Sequence, residues 1–288
     1  MKIRAPAKIN LGLRVIGKRA DGYHLLDTIL LPVSLYDEID IRTVRQIGGK
    51  TAPKNRLTVS CNNPLVPAGR KNLAHRAAEL ILSDAKISAQ VHIRIHKRIP
   101  VGAGLGGGSS DAAATLVGLN RLLRLGYSAK RIEKMSLALG ADVPFFVKAA
   151  PARARGIGER LSPLRSVPRF WLIILYPKFP VSTAWVYQNL PSKLTKAIAN
   201  TSINLSSGSP ANLNKLLVND LETVTMGRYP RIGLLKEELA RQGAVGTLMS
   251  GSGSSVFGIF PSRSSAQRAW RRLRKDKGVQ AFLTRVLS

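Results

Sequence analysis

The chain has 288 residues, and 44% of them are hydrophobic. This length suits one large domain or two ordinary ones, and the apolar content excludes disorder over most of the chain. Lysine and arginine number 45 against 16 aspartate and glutamate residues, so the formal net charge is +29. Such a charge favours anionic partners such as nucleotides, phosphorylated metabolites, nucleic acid or anionic lipid, although spread charge also fits a solvated basic surface.

Redox and targeting signals are sparse. Cys61 is the single cysteine, so an intrachain disulfide is excluded and a reducing compartment is favoured. Residues 1–17 alternate charged and apolar types, which is not the pattern of a signal peptide. No segment approaches the roughly 20 apolar residues that cross a bilayer. The sequence therefore predicts a cytoplasmic protein with no membrane partner.

Alternating apolar residues predict several strands in the first half of the chain. These strands lie at 9–15, 25–33, 38–43, 57–60 and 91–95. Residues 19–22 are typical of a hairpin turn, and polar residues 46–55 predict a loop. One-sided apolar patterns predict helices over residues 72–82 and 112–123.

The second half mixes strands and helices without the regular alternation of a doubly wound sheet. The predicted strands are 171–176, 244–249, 256–260 and 279–283, and the predicted helices are 183–190, 213–221, 232–241 and 266–273. Residues 201–209 are rich in serine and asparagine and predict an exposed loop. A stretch with proline and arginine at 161–169 indicates a boundary. The fold class is therefore α+β, with a nucleotide-binding N-terminal domain at 1–165 and a C-terminal domain at 166–288.

A glycine-rich loop lies between the predicted strand 91–95 and the helix 112–123. It carries five glycines in seven positions, which lets backbone N–H groups approach an anion, and the helix that follows adds its positive end. The loop lacks the Gly-Lys-Ser/Thr ending of a Walker loop, and the alternative is a tightly packed turn. The predicted phosphate-binding residues are Pro100, Val101, Gly102, Ala103, Gly104, Leu105, Gly106, Gly107, Gly108, Ser109 and Ser110.

Asp142 is the predicted catalytic carboxylate. It follows Gly-Ala and precedes Val-Pro-Phe-Phe, so it lies at the end of an element beside apolar residues. Beside a phosphate-binding loop, a carboxylate can accept the proton of an acceptor hydroxyl or hold its oxygen in line. The alternative is an aspartate with a purely local role in a turn.

Three blocks in chain order resemble the GHMP kinases, the superfamily of galactokinase and of homoserine, mevalonate and phosphomevalonate kinases. The blocks are residues 5–13, the loop at 100–110 and the Gly/Ser-rich residues 249–257. The resemblance implies an N-terminal domain like domain 2 of ribosomal protein S5 and a ferredoxin-like C-terminal domain. It also implies ATP and Mg²⁺ as cofactors, with Ser109 or Ser110 as one source of a metal ligand.

Within that superfamily, residues 6–11, 21–24 and 139–146 are similar to one branch. Its members phosphorylate the 2-hydroxyl of a methylerythritol that carries cytidine diphosphate, in the non-mevalonate route to isoprenoid precursors. The implied partners are this cytidyl diphosphate substrate and ATP, in a monomer or homodimer. The alternatives are another GHMP-type kinase acting on homoserine or mevalonate, or a basic nucleic-acid-binding protein, and nucleic acid is not expected as the main partner.

The resemblance also implies roles for individual residues. Asp142 matches the catalytic base, and Lys8 matches a catalytic lysine that keeps this carboxylate ionised and offsets phosphoryl charge. The implied substrate-binding residues are Asn10, Tyr23, His24, Lys97, Asp142, Thr183 and Tyr187. The residues alone leave structural alternatives open. Lys8 and Lys97 could face solvent, His24 could be a surface residue, and Tyr187 could be a core residue.

One stretch departs from the branch's usual pattern. The branch has Gly-Gly-Thr-Ala and an acidic residue before Gly-x-Gly-Glu, whereas this chain has Ala-Ala-Pro-Ala at 149–152 and Arg155 before Gly156. The change adds positive charge beside the expected phosphate site, and it removes no proposed catalytic group.

Overall fold

The computed structural model describes residues 1–45, 56–164, 167–191 and 216–287. The chain forms two compact units. The first unit comprises Met1–Ala7, Tyr36–Val101 and Gly106–Ala149, and the second comprises Lys8–Leu35, Gly102–Leu105 and Ala150–Ser288. In the described ranges, every helix is too short or too polar to span a bilayer.

The strands and helices alternate irregularly along the chain. The strands are β1 (Lys2–Lys18), β2 (His24–Arg45), β3 (Arg56–Cys61), β4 (Ala89–His96), β5 (Ala152–Gly156), β6 (Arg160–Pro163), β7 (Trp171–Tyr176), β8 (Gly246–Met249), β9 (Val256–Phe260) and β10 (Gln280–Arg285). The helices are α1 (Leu73–Ala85), α2 (Gly107–Leu122), α3 (Ala129–Ser136), α4 (Val143–Lys148), α5 (Thr183–Gln188), α6 (Glu222–Arg228), α7 (Arg231–Arg241) and α8 (Arg263–Leu273).

In the first unit, α1 packs against α2, β3 and β4. Asn72 starts α1, because its side chain accepts a hydrogen bond from the N–H of Ala74 at 2.8 Å. Strand β4 pairs in parallel with β3 and antiparallel with the second half of β2. The apolar residues of β4 alternate with exposed ones, so one face of this strand is buried, as the sequence pattern predicts.

In the second unit, the first half of β2 pairs with β5, and β5 pairs with β6. A separate antiparallel sheet has the order β10-β7-β9-β8. Numbered within this sheet, the order is 4-1-3-2, and helices connect β7 to β8 and β9 to β10, which is the ferredoxin-like pattern. The buried apolar side of α8, formed by Ala266, Ala269 and Leu273, packs into the core of this unit.

The mixed α+β class is confirmed, and most predicted elements are observed within a few residues. The prediction of two strands at 25–33 and 38–43 is wrong, since β2 runs without a break from His24 to Arg45. The predicted helix 213–221 is wrong over its described part, because residues 216–221 are irregular and α6 begins at Glu222. The predicted loops at 46–55 and 201–209 lie outside the described residues, as do residues 165–166 at the predicted domain boundary.

Candidate active site

The end of the glycine-rich loop forms the start of α2 in the first unit. Gly106 caps the helix with φ of +71°, a conformation that glycine adopts at little cost. Ser110 lies in the first turn and is 1% exposed, and its hydroxyl has no hydrogen-bond partner. A buried hydroxyl at a helix N-terminus can donate a hydrogen bond to a bound anion, or its oxygen can ligate a cation that accompanies the anion. Among the described residues, no three His, Cys, Asp or Glu side chains lie together to form a metal site.

Lys97 joins two buried aspartates beside this helix. Its ammonium group lies 2.6 Å from Asp37 Oδ2 and 2.6 Å from Asp111 Oδ2, and the lysine side chain is 4% exposed. Asp37 Oδ1 accepts the backbone N–H groups of Arg98 at 2.6 Å and Ile99 at 2.9 Å. Asp37 therefore fixes the chain entering the glycine-rich loop, while Asp111 fixes the helix that leaves it. The alternative of a solvent-facing Lys97 is wrong.

Burial and mutual charge shift the pKa values of this cluster. Burial, together with the nearby Asp37 carboxylate, raises the pKa of Asp111 to about 8, although Lys97 opposes the shift. Burial alone lowers the pKa of Lys97, but the two carboxylates outweigh it and raise that pKa above its ordinary value. Asp111 Oδ1 is buried and has no hydrogen-bond partner. Lys97 is therefore the main counter-charge of the two buried aspartates.

Asp142 lies in the first unit at the N-cap of α4, with Pro144 in the first turn of that helix. The carboxylate is half-buried, whereas Val143, Pro144 and Phe145 are buried. The apolar residues that follow Asp142 anchor α4, so the polar residue stays at the helix entrance. The prediction that Asp142 lies at the end of an element beside apolar residues is confirmed, and its catalytic role stays a prediction.

Residues 102–105 of the glycine-rich loop belong to the second unit, where four hydrogen bonds fasten them, one of them from the Lys8 N–H to the Leu105 carbonyl at 3.0 Å. The Gly102 carbonyl accepts the N–H of Val181 at 3.0 Å, and the Ala103 carbonyl accepts the N–H of Ser255 at 3.2 Å. Ser250 donates its hydroxyl to the Gly104 carbonyl at 2.9 Å. The second and third sequence blocks of the resemblance therefore contact each other directly.

Gly104 is held where no side chain fits. Its φ is +76°, and a Cβ atom would lie 2.0 Å from the backbone oxygen of Ser250. We expect Gly104→Ala to destabilise the fold by about 3 kcal/mol or more, from a left-handed conformation and a backbone clash together. Chemical denaturation followed by circular dichroism measures the loss.

Gly108→Ala is the matched control for this substitution. A Cβ atom at Gly108 would meet only Leu73 Cδ1, at 3.6 Å, and the residue lies within α2. Alanine there is expected to leave stability unchanged or to raise it by up to about 1 kcal/mol. Equal stability of the Gly104 variant and the native protein would contradict the proposed tight contact.

Lys8 and Asn10 form a buried polar chain in the second unit. Lys8 donates from Nζ to Asn10 Oδ1 at 2.5 Å, and Asn10 donates to Thr28 Oγ1 at 2.9 Å. Lys8 is 5% exposed, so the alternative of a solvent-facing lysine is wrong. A Cβ atom at Gly251, whose φ is +56°, would lie 3.2 Å from Lys8 Nζ. The first and third sequence blocks therefore meet at this lysine.

The predicted cytidine-binding residues lie in the second unit. The rings of His24 and Tyr187 stack with centroids 5.2 Å apart and an angle of 27° between their planes. Burial and the nearby Lys18 lower the pKa of His24, so its ring is neutral at pH 7. Tyr23 is 60% exposed, which leaves its ring available to a base. Thr183 lies 2.8 Å from the hydroxyl of Ser252 in the third block.

Asn219 was missed by sequence reasoning. Its side-chain N–H groups donate to the carbonyls of Met249 at 2.9 Å and Gly251 at 2.8 Å, and it is 5% exposed. Its Oδ1 accepts the N–H of Leu221 at 3.0 Å. Asn219 therefore holds the Gly/Ser-rich turn in shape. The only signal in the sequence is a polar pair, Asn219-Asp220, between apolar residues.

The departure at 149–155 places two arginines beside one buried carboxylate. Arg153 binds Asp27 with two hydrogen bonds, at 2.7 Å from Nε and 2.5 Å from Nη2. Arg155 Nε lies 3.8 Å from the same carboxylate, which is 2% exposed. Asp27 therefore offsets part of the positive charge that these residues add.

The predicted site residues are divided between the two units. Pro100, Val101, Lys97, Asp142 and the loop residues 106–110 belong to the first unit. Those of the second unit are Lys8, Asn10, Tyr23, His24, Gly102, Ala103, Gly104, Leu105, Thr183 and Tyr187. Within each unit, the structure brings polar groups together around a segment of the glycine-rich loop.

Family models match both halves of the chain. The model of the GHMP kinases N terminal domain matches residues 72–149, and that of the GHMP kinases C terminal region matches residues 197–279. A homoserine kinase structure from Cytophaga hutchinsonii has a TM-score of 0.74 at 18% identity and covers 100% of this chain and 94% of that chain. At this identity the likeness concerns the fold alone. Fold, loop and family models together define a kinase of the GHMP class, as the resemblance predicts.

Relatives that align over nearly the full chain indicate one family within this class. A protein from Citrifermentans bemidjiense named 4-diphosphocytidyl-2-C-methyl-D-erythritol kinase is 47% identical over 100% of this chain and 99% of its own. One of the same name from Syntrophotalea carbinolica is 47% identical over 96% of each chain. A crystal structure of 4-(cytidine 5'-diphospho)-2C-methyl-D-erythritol kinase has a TM-score of 0.83 at 36% identity and covers 100% of both chains. The chain belongs to the 4-diphosphocytidyl-2-C-methyl-D-erythritol kinase family.

Proposed function

We propose that the protein transfers the terminal phosphoryl group of ATP to the 2-hydroxyl of 4-diphosphocytidyl-2-C-methyl-D-erythritol. The products are ADP and the 2-phosphate, within the non-mevalonate route to isoprenoid precursors. The observation that carries this proposal is the 47% identity to kinases of that name over the full chain. The fastened glycine-rich loop supports it, because its conformation suits a bound triphosphate.

In the proposed mechanism, positioning and electrostatics supply most of the rate enhancement. Residues 100–110 bind the phosphates of ATP through backbone N–H groups and the N-terminus of α2. Asp142 takes the proton of the substrate's 2-hydroxyl while the hydroxyl oxygen attacks the terminal phosphorus of ATP. Lys8 offsets the negative charge of the transferring group, and its hydrogen bond to Asn10 orients the ammonium group.

We propose that Mg²⁺ accompanies ATP. The buried Ser110 hydroxyl without a partner fits a metal-bound nucleotide, and Ser109 is the neighbouring candidate. Phosphate oxygens and water would supply the remaining ligands, as is usual for Mg²⁺ in kinases. The bound ion would neutralise phosphate charge.

The cytidine end is proposed to bind at Tyr23, His24 and Tyr187, with Thr183 beside them. A neutral His24 can hydrogen-bond to the polar edge of the base, and the aromatic rings can stack on its face. Lys97 is the basic residue proposed near substrate and nucleotide. Its ammonium group is already bound to Asp37 and Asp111, so any such role would act through the loop that this cluster holds.

Tyr23→Ala is expected to raise the KM for the cytidyl substrate by about tenfold, since stacking on a base contributes roughly 1–3 kcal/mol. The kcat and the KM for ATP should change little, because the ring is proposed to contact only the base. Steady-state kinetics with each substrate varied in turn measures the effect. An unchanged KM for the cytidyl substrate would move the base pocket elsewhere.

The proposal also covers the domain bounds, the oligomeric state and the cellular location. The nucleotide-binding domain is assigned to 1–165 and the C-terminal domain to 166–288. The proposed assembly is a monomer or homodimer, and the proposed location is the cytoplasm, whose reducing conditions suit a chain with one cysteine.

The test of the main proposal is a coupled ADP-release assay over a panel of acceptor alcohols. Turnover is expected with 4-diphosphocytidyl-2-C-methyl-D-erythritol and not with homoserine or mevalonate. Turnover of mevalonate or homoserine without the cytidyl compound would overturn the proposed acceptor while keeping the kinase class.

A further inference from the structure

Between residues 263 and 277, the outer face of α8 and the turn after it carry one acidic residue, Asp276, among many basic ones. Seven exposed basic residues follow one another along this segment. They are Arg263, Arg268, Arg271, Arg272, Arg274, Lys275 and Lys277. The opposite side of the helix, with Ala266, Ala269 and Leu273, is buried in the core of its unit. Every charged residue on the solvent face of α8 is therefore cationic.

This arrangement is unfavourable for the isolated helix. Within α8, Arg268 is three and four residues from Arg271 and Arg272, and Arg274 and Lys275 follow in the turn directly after the helix. Side chains at these spacings are neighbours on a helix surface, and like charges there destabilise the helix. No acidic residue within α8 relieves the repulsion.

Basic residues of two other described helices form ion pairs with acidic residues. In α7, Arg241 binds Glu238 at 2.7 Å, and Lys236 binds Glu222 at 2.7 Å. Lys148 of α4 binds Glu133 at 2.9 Å. Among the ion pairs between described residues, none involves the seven basic residues of the α8 segment. Exposed basic residues without an ion pair to a described residue occur elsewhere too, but the α8 segment concentrates seven of them within positions 263–277.

Two tryptophans support part of this surface. The guanidinium of Arg274 lies 4.6 Å from the centroid of the Trp270 ring, and that of Arg263 lies 5.5 Å from that of Trp171. Cation–π contacts hold guanidinium groups at the surface without neutralising them. Five of the seven basic residues are arginines, whose planar guanidinium suits phosphate oxygens.

We propose that the α8 face is a docking surface for the phosphate backbone of a nucleic acid, bound without sequence preference. The charges extend along a helix of 11 residues, which is about 16 Å long. An extended polyanion can contact such a stripe along its length, whereas one free phosphate cannot. An anionic membrane fits less well, because the apolar side of α8 is buried and has nothing to insert between lipids.

The test compares two variants of the full-length protein that each lose four positive charges. The first replaces Arg268, Arg271, Arg272 and Lys275 with glutamine. The matched control replaces four exposed basic residues of the first unit with glutamine, at Arg121, Arg124, Lys130 and Lys134. Binding to a fluorescent single-stranded RNA of mixed sequence is measured by anisotropy between about 50 and 200 mM salt.

The native protein is expected to bind RNA with an affinity that falls steeply with salt. The α8 variant should lower the slope of log K against log salt by up to about 3, since each single-strand phosphate contact contributes roughly 0.7. The control variant should keep most of the slope, and both variants should keep kinase activity.

Three results would overturn the proposal. One is the absence of RNA binding by the native protein at low salt. Another is an equal loss of RNA affinity and salt dependence in both variants, because net charge alone would then explain the binding. The third is tighter, α8-dependent binding to phosphatidylcholine vesicles containing phosphatidylserine than to RNA, which would assign the surface to a membrane.

Discussion

Asp142→Asn is expected to lower kcat by about 10³-fold, within the range that one general base contributes. Asparagine keeps the shape of the side chain at the N-cap of α4 but cannot accept the hydroxyl proton. The fold should persist, because Val143, Pro144 and Phe145 anchor the helix independently of the carboxylate. Steady-state ADP release with the cytidyl substrate measures the loss, and fluorescence titration with ATP shows whether nucleotide binding is retained.

Asp84→Asn is the matched control for this loss. Asp84 is an exposed carboxylate that Arg131 contacts at 2.8 Å, and no catalytic role is proposed for it. Its replacement should leave kcat close to the native value. A kcat of the Asp142 variant within about tenfold of native, a difference of roughly 1.4 kcal/mol in the barrier, would refute the assignment of Asp142 as the base.

Local patterns predicted most of the secondary structure because burial on one face leaves a periodic trace. Strand β4 and helix α1 follow their apolar periodicity closely. The unbroken β2 could not be predicted, since Ser34 and Asp37 interrupt the apolar pattern between its halves. Distant partners satisfy both residues: Ser34 lies 2.9 Å from the Thr284 hydroxyl, and Asp37 accepts backbone N–H groups of the loop entrance. Tertiary hydrogen bonds thus override local propensity there.

The parts of the candidate site that could be predicted are those whose chemistry requires a recognisable sequence motif. A run of glycines before a helix indicates an anion site, and the three blocks together indicate the family. The supporting groups leave no such motif. Asp37 and Asn219 lie far along the chain from the segments that they hold, so only the folded chain reveals their partners.

Lys97→Met is expected to destabilise the fold by about 3–5 kcal/mol, the usual loss when one partner of a buried ion pair is removed. Methionine fills similar volume, but Asp37 and Asp111 would remain buried beside each other without a counter-charge. Asp37 keeps its two backbone donors, whereas Asp111 Oδ1 has no partner even in the native protein. Most of the loss should therefore arise from Asp111, and urea denaturation at about pH 9, above the Asp111 pKa of about 8, measures it.

The double variant Lys97→Met/Asp111→Asn separates charge from packing. If the unpaired Asp111 carboxylate causes the loss, removing its charge should restore at least about 1 kcal/mol of the free energy of unfolding. Lys148→Met is the control, because its ion pair with Glu133 joins a 59% exposed lysine to a 25% exposed glutamate, and such pairs contribute at most about 1 kcal/mol. If Lys97→Met were no more destabilising than Lys148→Met, the cluster would not hold the loop. If the double variant were less stable than Lys97→Met alone, Asp111 would be held by something other than the lysine's charge.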